Sequence, residues 1–366
     1  MTVTQLLSLA VQMEASDLHL AVGSPPMVRV YGELQALKGF PPLTPHHTQE
    51  MMEALTDERQ RQEFYAKKEL DFGHSLIGSA RFRVNACFER GSISLSCRLL
   101  PPRIPTMEEL GIPEVCKDLA TRPRGLVLVT GPTGSGKSTT LASMIDYLNE
   151  NFNRRIITIE DPIEYLHLNK KCMILQREVG KDTDAFATAL RHALRQDPNV
   201  ILIGEMRDLE TMATSLSAAE TGHLVLSTLH TSDATQTVDR IIDLFPPHQQ
   251  HQVRLQLSLA LEGVLSQLLI PKADGSGRVA AFEVLLGNPA IRSLIREGKT
   301  YEIPNYLQLG RQQGMQTMDW ALGEMVVKRL ISLDMALSLA HSPENMKKMI
   351  SQMGRVPQKP VIGGQV

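Results

Sequence analysis

The sequence predicts an α/β protein: a larger C-terminal part built on a parallel sheet with crossover helices and a phosphate-binding loop, preceded by a smaller α+β domain. Three observations carry this. From residue 123 short apolar runs alternate with amphipathic helices (GLVLVTG, TTLASMIDYLNE, RIITIED, VILIGE, HLVLSTLH), the texture of strands covered on both faces. Residues 131–138 fit GxxxxGK[ST] between a strand and a helix. Residues 80–88 and 92–100 alternate apolar and polar positions, as strands with one open face do.

Taken in order, residues 5–15 repeat Leu6, Leu9, Ala10 and Met13 at helical spacing. Asp17-Leu18-His19-Leu20 alternates as a strand, Ser24-Pro25-Pro26 is a turn, and residues 27–34 read as a hairpin with Gly32 near its tip. Residues 47–68 predict one polar-amphipathic helix. These elements make residues 1–100 the N-terminal domain. Pro101, Pro102 and Pro105 fix φ and remove ladder donors, so residues 101–122 are expected to be a linker. Residues 123–353 form the second domain, with 315–353 helical, and 354–366 (RVPQKPVIGGQV) carry no periodic pattern and predict a disordered tail. In residues 290–297, after Asn288-Pro289, Ile291, Leu294 and Ile295 share one helical face while Arg292 and Arg296 form an i,i+4 pair on another.

The chain of 366 residues is long enough for two domains. Lys plus Arg is 38 against 40 for Asp plus Glu, a net charge of −2, which excludes a protein built mainly around a polyanion field. Cys87, Cys97, Cys116 and Cys172 show no CxxC spacing; they are expected to be reduced, mostly buried thiols rather than zinc ligands. The N-terminus lacks a basic n-region and a cleavage site. The most membrane-like stretch, 255–271, is interrupted by Gln256, Glu262 and Gln267 and is too short to span. A cytosolic protein, able to dock at a membrane, is expected.

Gly131-Pro132-Thr133-Gly134-Ser135-Gly136-Lys137-Ser138, with Thr139 following, has both contexts such a loop needs: a strand over Leu126 to Val129, and a helix with Leu141, Met144, Ile145 and Leu148 on one face. The glycines let backbone N–H groups turn toward phosphate oxygens, Lys137 neutralises β/γ charge, and the Ser138 hydroxyl suits Mg²⁺.

Two apolar runs end in acids, where ligands of open α/β sheets bind. Ile156 to Ile159 leads into Glu160, Asp161 and, past a proline, Glu164, placed to orient and deprotonate a water. Val200 to Ile203 leads into Gly204-Glu205, placed to hold Mg²⁺ or polarise the attacking water; Arg207 and Asp208 could pair locally. His223 and His230 bracket a third strand, about 23 Å apart if extended at ~3.3 Å per residue. One phosphate cannot meet both in one subunit. His230, at the carboxyl end, is the better γ-phosphate sensor; His223 either packs in the core or faces a neighbouring subunit. Arg81 and Arg83 share a face of one strand and Arg98 lies on the polar face of the next. They form either a solvated face or arginine fingers offered to another subunit's site.

Together, SDLHL at 16–20, the phosphate loop, TIEDPIE at 158–164, GEMRD at 204–208 and TGHLVLSTLHT at 221–231 resemble the secretion-superfamily ATPases, most closely the type IV pilus retraction ATPases, over about residues 5–350. The resemblance implies a PAS-like N-terminal domain, a RecA-like second domain, and a homohexameric ring that hydrolyses ATP with Mg²⁺ between subunits. It implies Glu164 as catalytic base, Glu205 as metal support, and Arg81, Arg83 and Arg98 reaching across the interface. The implied work is pilus disassembly and twitching motility, at the cytoplasmic side of the inner membrane, with the pilus platform protein and machinery as partners. Ala290 to Glu297 is similar to the retraction signature AIRNLIRE, with Ser293 in place of its Asn. Assembly-type relatives carry a tetracysteine zinc site and an extra N-terminal domain, both missing here. An accessory retraction paralogue or another secretion ATPase is the alternative within this class. A RecA-like DNA motor would need basic loops interleaved with aromatics, but aromatics are 4% of the chain. A non-hydrolysing nucleotide-dependent module would need a lost base or lysine.

Overall fold

The computed structural model describes residues 2–76, 80–100 and 103–353. Its first helix, α1 (Val3–Gln12), is opened by a Thr2–Gln5 capping box and buries Val3, Leu6, Leu7 and Ala10. Strands β1 (Asp17–Leu20), β2 (Met27–Val30) and β3 (Glu33–Ala36) follow, the last two as the expected hairpin. The single helix expected over 47–68 is two. Helix α2 (Pro45–Leu55) stops where Thr56 and Asp57 turn extended, and the Asp57 carboxylate caps the Gln60 N–H to start α3 (Glu58–Lys67). An internal N-cap, invisible to a periodicity count, makes the break. The unexpected β4 (Glu69–Leu76) pairs with β5 (Ala80–Glu89), which pairs with β6 (Ser92–Leu99). The sheet runs β3-β2-β1-β6-β5-β4, antiparallel throughout. Leu18, Val28, Phe82, Val84 and Leu95 line its apolar face with the residues buried by α1, α2 and Phe64 of α3. On the other face the register sets Arg29, Asp17, Arg98 and Arg83 in one row across four strands.

The chain divides into two units, Met1–Ile104 with Pro162–Leu166, and Pro105–Asp161 with His167–Val366. The stretch expected to be linker is therefore largely part of the second unit. Pro101 and Pro102 lie outside the described residues, but Met107, Ile112 and, in helix α4 (Val115–Thr121), Cys116 and Leu119 are buried in its core. The prolines mark only the entry; the apolar residues beyond them pack. The tail expected over 354–366 also lies outside the described residues.

The second unit continues through β7 (Gly125–Thr130), α5 (Lys137–Asn151), β8 (Arg155–Glu160), β9 (Met173–Glu178), α6 (Phe186–Ala193), β10 (Val200–Ile203), α7 (Leu209–Glu220) and β11 (Leu224–Leu229). Then come α8 (Ala234–Asp243), α9 (Pro247–Ala260), β12 (Leu261–Pro271), β13 (Arg278–Leu286), α10 (Pro289–Glu297) and α11 (Ile303–Leu309), and α12 (Met318–Val327), α13 (Leu333–Leu339) and α14 (Pro343–Met353) close the chain's described part. The sheet order is β13-β12-β7-β11-β10-β8-β9, parallel except for β13. β7, β10 and β11 are buried at every position, as their unbroken apolar runs require. Alternate residues feed two cores, Leu126 and Leu128 on one side, Val127 and Val129 on the other. The apolar stretch 255–271 divides into the end of α9 and the whole of β12, and no described helix is long and apolar enough to cross a membrane.

At the start of two helices a single buried side chain serves two backbones. The Glu283 carboxylate accepts from Ala234 N–H at 2.8 Å and from Met318 N–H at 3.3 Å, and its burial raises its pKa above the ordinary value. The four thiols are free, with Cys97, Cys116 and Cys172 buried and Cys87 half-buried.

Candidate functional site

β7 ends at Thr130, and the loop 131–136 carries the chain into α5. Gly131, at φ +142°, could not carry a Cβ: that atom would run into the carbonyl of Gln267 and the Ser135 hydroxyl. Gly136, at φ +90°, is the N-cap of α5 and gives it no side-chain cap, so the first N–H groups of the helix remain available to an anion. Lys137 is buried, its ammonium donating to the carbonyls of Gly131 and Pro132 at 2.9 Å each. The Ser135 hydroxyl is buried with no protein partner. A glycine cradle, an uncapped helix start, a lysine folded over the loop and an unused buried hydroxyl together fit a nucleotide phosphate chain. Ser138 is exposed at the first turn of α5, followed by Thr139.

The other residues at this edge come from neighbouring strands. β11 lies next to β7, with Leu229 opposite Thr130, and β10 next to β11, with Ile203 opposite Ser227. The two segments after these strands bring Glu205 and His230 together. Glu205, mostly buried, is ion-paired with Arg207, whose Nε lies 2.6 Å from its Oε2, and His230 Nε2 lies 3.6 Å from the same oxygen. The local Arg207–Asp208 pair does not form: Asp208 instead caps α7 through Thr211 N–H at 2.8 Å and Thr211 Oγ1 at 2.7 Å. His223 stands at the opposite end of β11, its Nδ1 3.1 Å from the Ala218 carbonyl, in a contact local to the α7–β11 turn.

Glu160 ends β8 and is tied down, accepting from Thr158 Oγ1 at 2.6 Å and Gln176 Nε2 at 3.1 Å; Asp161 is exposed. Glu164, half-buried, belongs to Pro162–Leu166, the short segment that packs with the N-terminal unit. Arg81 explains part of that packing. It is buried, donating from Nε to the Ile163 carbonyl and from Nη1 to Ser75 Oγ, 2.9 Å each. Its burial overturns the solvated-face reading taken from its spacing. Arg83 is more open and stands 4.0 Å from Asp71, and Arg98, the most exposed of the three, donates to Asp17 at 3.0 Å. Burial raises the Asp17 pKa, but the hydrogen bonds from Arg98 and Ser16 outweigh it and hold the carboxyl below its ordinary value.

The helix over 290–297 is present as α10, capped by Asn288, with Ile291, Leu294 and Ile295 buried. Its two arginines are unlike. Arg296 is exposed, whereas Arg292 is committed to the fold, donating to the carbonyls of Gly287 at 2.7 Å, Ser258 at 2.8 Å and Leu259, and to Glu262 at 2.7 Å. Two further residues escape motif reading. Gln267 touches the phosphate loop, and Glu262 anchors Arg292; their only signal was a polar residue inside an apolar run.

A family model described as type II/IV secretion system protein matches residues 79–338. A type IV pilus retraction ATPase, PilT of Pseudomonas aeruginosa, is 50% identical over 345 residues, covering 94% of this chain and all of that one. A twitching motility protein of Neisseria gonorrhoeae is 46% identical over 92% of this chain and 89% of its own length. Among solved structures, the pilus retraction motor PilT with bound ADP aligns at a TM-score of 0.89 and 48% identity, over 95% of this chain and all of that one.

Proposed function

The chain belongs to the type II/IV secretion system protein family, and on that footing we propose that it is the ATPase that powers retraction of a type IV pilus. The observation that carries this is the phosphate loop: the cradle at Gly131, Lys137 folded over it and the buried Ser135 hydroxyl stand at the sheet edge that also bears Glu205 and His230. The parallel sheet supports a RecA-like description of the second unit, and the antiparallel sheet with helices on one face a PAS-like description of the first.

In this reading residues 131–139 hold the triphosphate, with Lys137 exchanging its bonds to loop carbonyls for β/γ oxygens. Ser138 and Glu205 would hold Mg²⁺; a hydroxyl and a carboxylate are the hard oxygen donors that ion takes, and when bound it supplies charge neutralisation to the phosphates. Glu164 accepts the proton of the attacking water, and His230, beside Glu205, senses the γ-phosphate. Arg83 and Arg98, on the open row of the N-terminal sheet, serve a neighbouring subunit's site in a homohexameric ring, and Arg81 holds the segment that carries Glu164. The ring works on the pilus machinery through a platform protein at the inner membrane.

Lys137→Ala tests the assignment. The purified variant is expected to lose ATP turnover, and cells carrying it to keep unretracted pili and lose twitching. Full turnover by a folded Lys137→Ala protein would remove the loop from the site.

A further inference from the structure

β12 runs beside β7 with Ser266 opposite Thr130, so Gln267 comes level with the first residue of the phosphate loop. The residue is 3% exposed. Both ends of its carboxamide are engaged. Nε2 donates to the Ser135 carbonyl at 2.7 Å, and Oε1 accepts from Thr140 Oγ1, on the first turns of α5, at 2.8 Å. The Gln267 backbone carbonyl closes on Gly131, and its Nε2 would stand 2.9 Å from a Cβ on Gly136. One residue thus packs against two of the loop's glycines, Gly131 and Gly136, and hydrogen-bonds both Ser135 of the loop and Thr140 of the helix it opens. Next to it, Thr130 Oγ1 donates to Ser266 Oγ at 3.0 Å, a second tie between the same strands.

We infer that Gln267 is a positioning residue of the phosphate loop, its carboxamide holding Ser135 and Thr140 so that the loop is shaped for a nucleotide diphosphate moiety before one binds. The inference rests on the reading of residues 131–139 as the nucleotide site. The chemistry favours an amide here. The Ser135 carbonyl needs a donor and the Thr140 hydroxyl an acceptor, and a planar carboxamide supplies both. A glutamate would oppose an acceptor to the Ser135 carbonyl. A leucine would leave two buried polar groups unpaired, a cost large enough to let the loop rearrange. Preorganisation of this kind is read in binding, because a loop that must be ordered by its ligand takes that cost out of the affinity.

The experiment compares Gln267→Leu, Gln267→Glu, Thr140→Val and Thr140→Ser with the parent protein, using ADP with Mg²⁺ as the binding probe and steady-state ATP hydrolysis as the second readout. Gln267→Leu and Gln267→Glu are expected to weaken ADP binding about tenfold. They should raise KM for ATP by a similar factor while kcat at saturating ATP stays within about threefold, since the groups assigned to chemistry are intact. Thr140→Val should show a smaller loss in the same direction, and Thr140→Ser, which keeps the hydroxyl, should restore affinity. If Gln267→Leu does not fold, Gln267→Glu and the Thr140 pair decide the matter. A side chain that merely filled space would lower the melting temperature and leave KM and ADP affinity of the folded protein where they were; affinity within twofold of the parent in both Gln267 variants overturns the inference. Lys137→Ala separates the two levels. If it binds ADP and turns over ATP normally, the nucleotide-site reading fails; if it is inactive while the Gln267 variants bind normally, only the role of Gln267 falls.

Discussion

Arg292 of α10 meets the Glu262 carboxylate at 2.7 Å where β12 bulges against β7. The register slips between Leu261 and Gly263, so Glu262 is the extra residue, and a bulge of this kind re-aims the side chain it carries. Glu262 is turned toward Arg122 at 3.5 Å as well as Arg292, and Arg292 donates further to the Ser258 and Leu259 carbonyls at the end of α9 and to the Gly287 carbonyl. In the segment that resembles the retraction signature, this arginine is a clasp between a helix end, a strand and a second helix.

Arg292→Ala is therefore expected to destabilise the fold. It leaves a half-buried carboxylate short of its closer partner and uncaps α9, a loss of about 1–3 kcal/mol, visible as a fall of several degrees in melting temperature. Arg296→Ala, exposed on the same helix, should leave the melting temperature within about one degree. Differential scanning fluorimetry of the two variants decides this. It also makes Arg296→Ala, rather than a double arginine variant, the clean probe of whether α10 transmits work to the pilus.

Glu164→Gln and Glu205→Gln should separate nucleotide binding from turnover. Removing a positioned base costs about 10²–10⁴-fold in rate, so Glu164→Gln is expected to bind ATP with near-parental affinity and hydrolyse it at that reduced rate. Parental turnover in Glu164→Gln would assign the base to another residue. In Glu205→Gln the loss of charge beside Arg207 and His230 should weaken the Mg²⁺ dependence as well as the rate, measured by titrating Mg²⁺ at fixed ATP.

Action of arginine between subunits can be read from mixed rings. A head-to-tail interface that closes into a ring places halves of one site on two subunits. If sites are shared between subunits, Lys137→Ala and Arg83→Ala proteins, each expected to be inactive alone, should regain part of the activity when mixed, because some interfaces then contain two intact halves. No recovery at any ratio, with subunit exchange demonstrated, would place Arg83 in its own subunit's structure.

Much of this site can be read along the chain, because its chemistry sits at strand ends and strands are what apolar runs declare. The loop 131–139, Glu205 and His230 each follow such a run, and the parallel register carries them to one edge. What escapes is set by pairing across distance. Nothing local distinguishes Arg81, buried on the Ile163 carbonyl, from Arg83 two residues on, and nothing in the spacing of 290–297 tells Arg292 from Arg296. The broken helix at 56–57 and the packed stretch 105–122 were hidden for a related reason. A cap or a proline is a local sign, and whether the chain beyond it packs depends on partners hundreds of atoms away.

The protein should lose stability on mild acidification through His167. Burial holds this imidazole neutral, its pKa lowered to about 4, and its Nδ1 is buried without a partner. In the unfolded chain the same group protonates near 6.5. The stabilisation is then complete above about pH 6.5 and is lost as pH falls from there toward 4, where the folded form takes up the proton too, a change of about 2–3 kcal/mol across the interval. Denaturant unfolding at pH 7.5 and pH 5 captures about 2 kcal/mol of it, and in a His167→Phe variant the difference between the two should shrink by about that much.

β12 holds Gln267 against the phosphate loop and Glu262 against α10, five residues apart, a span of about 17 Å along one extended strand. The strand has paired neighbours on both sides and offers no sliding joint between these two points. A consequence lies in how the unit comes apart. The amide protons of β7, β12 and the start of α10 should exchange with deuterium in a single opening event, so that neither the loop nor the helix is released while the other stays closed. Whatever force the nucleotide end of this unit develops is thereby borne by a part that yields only when the whole sheet does.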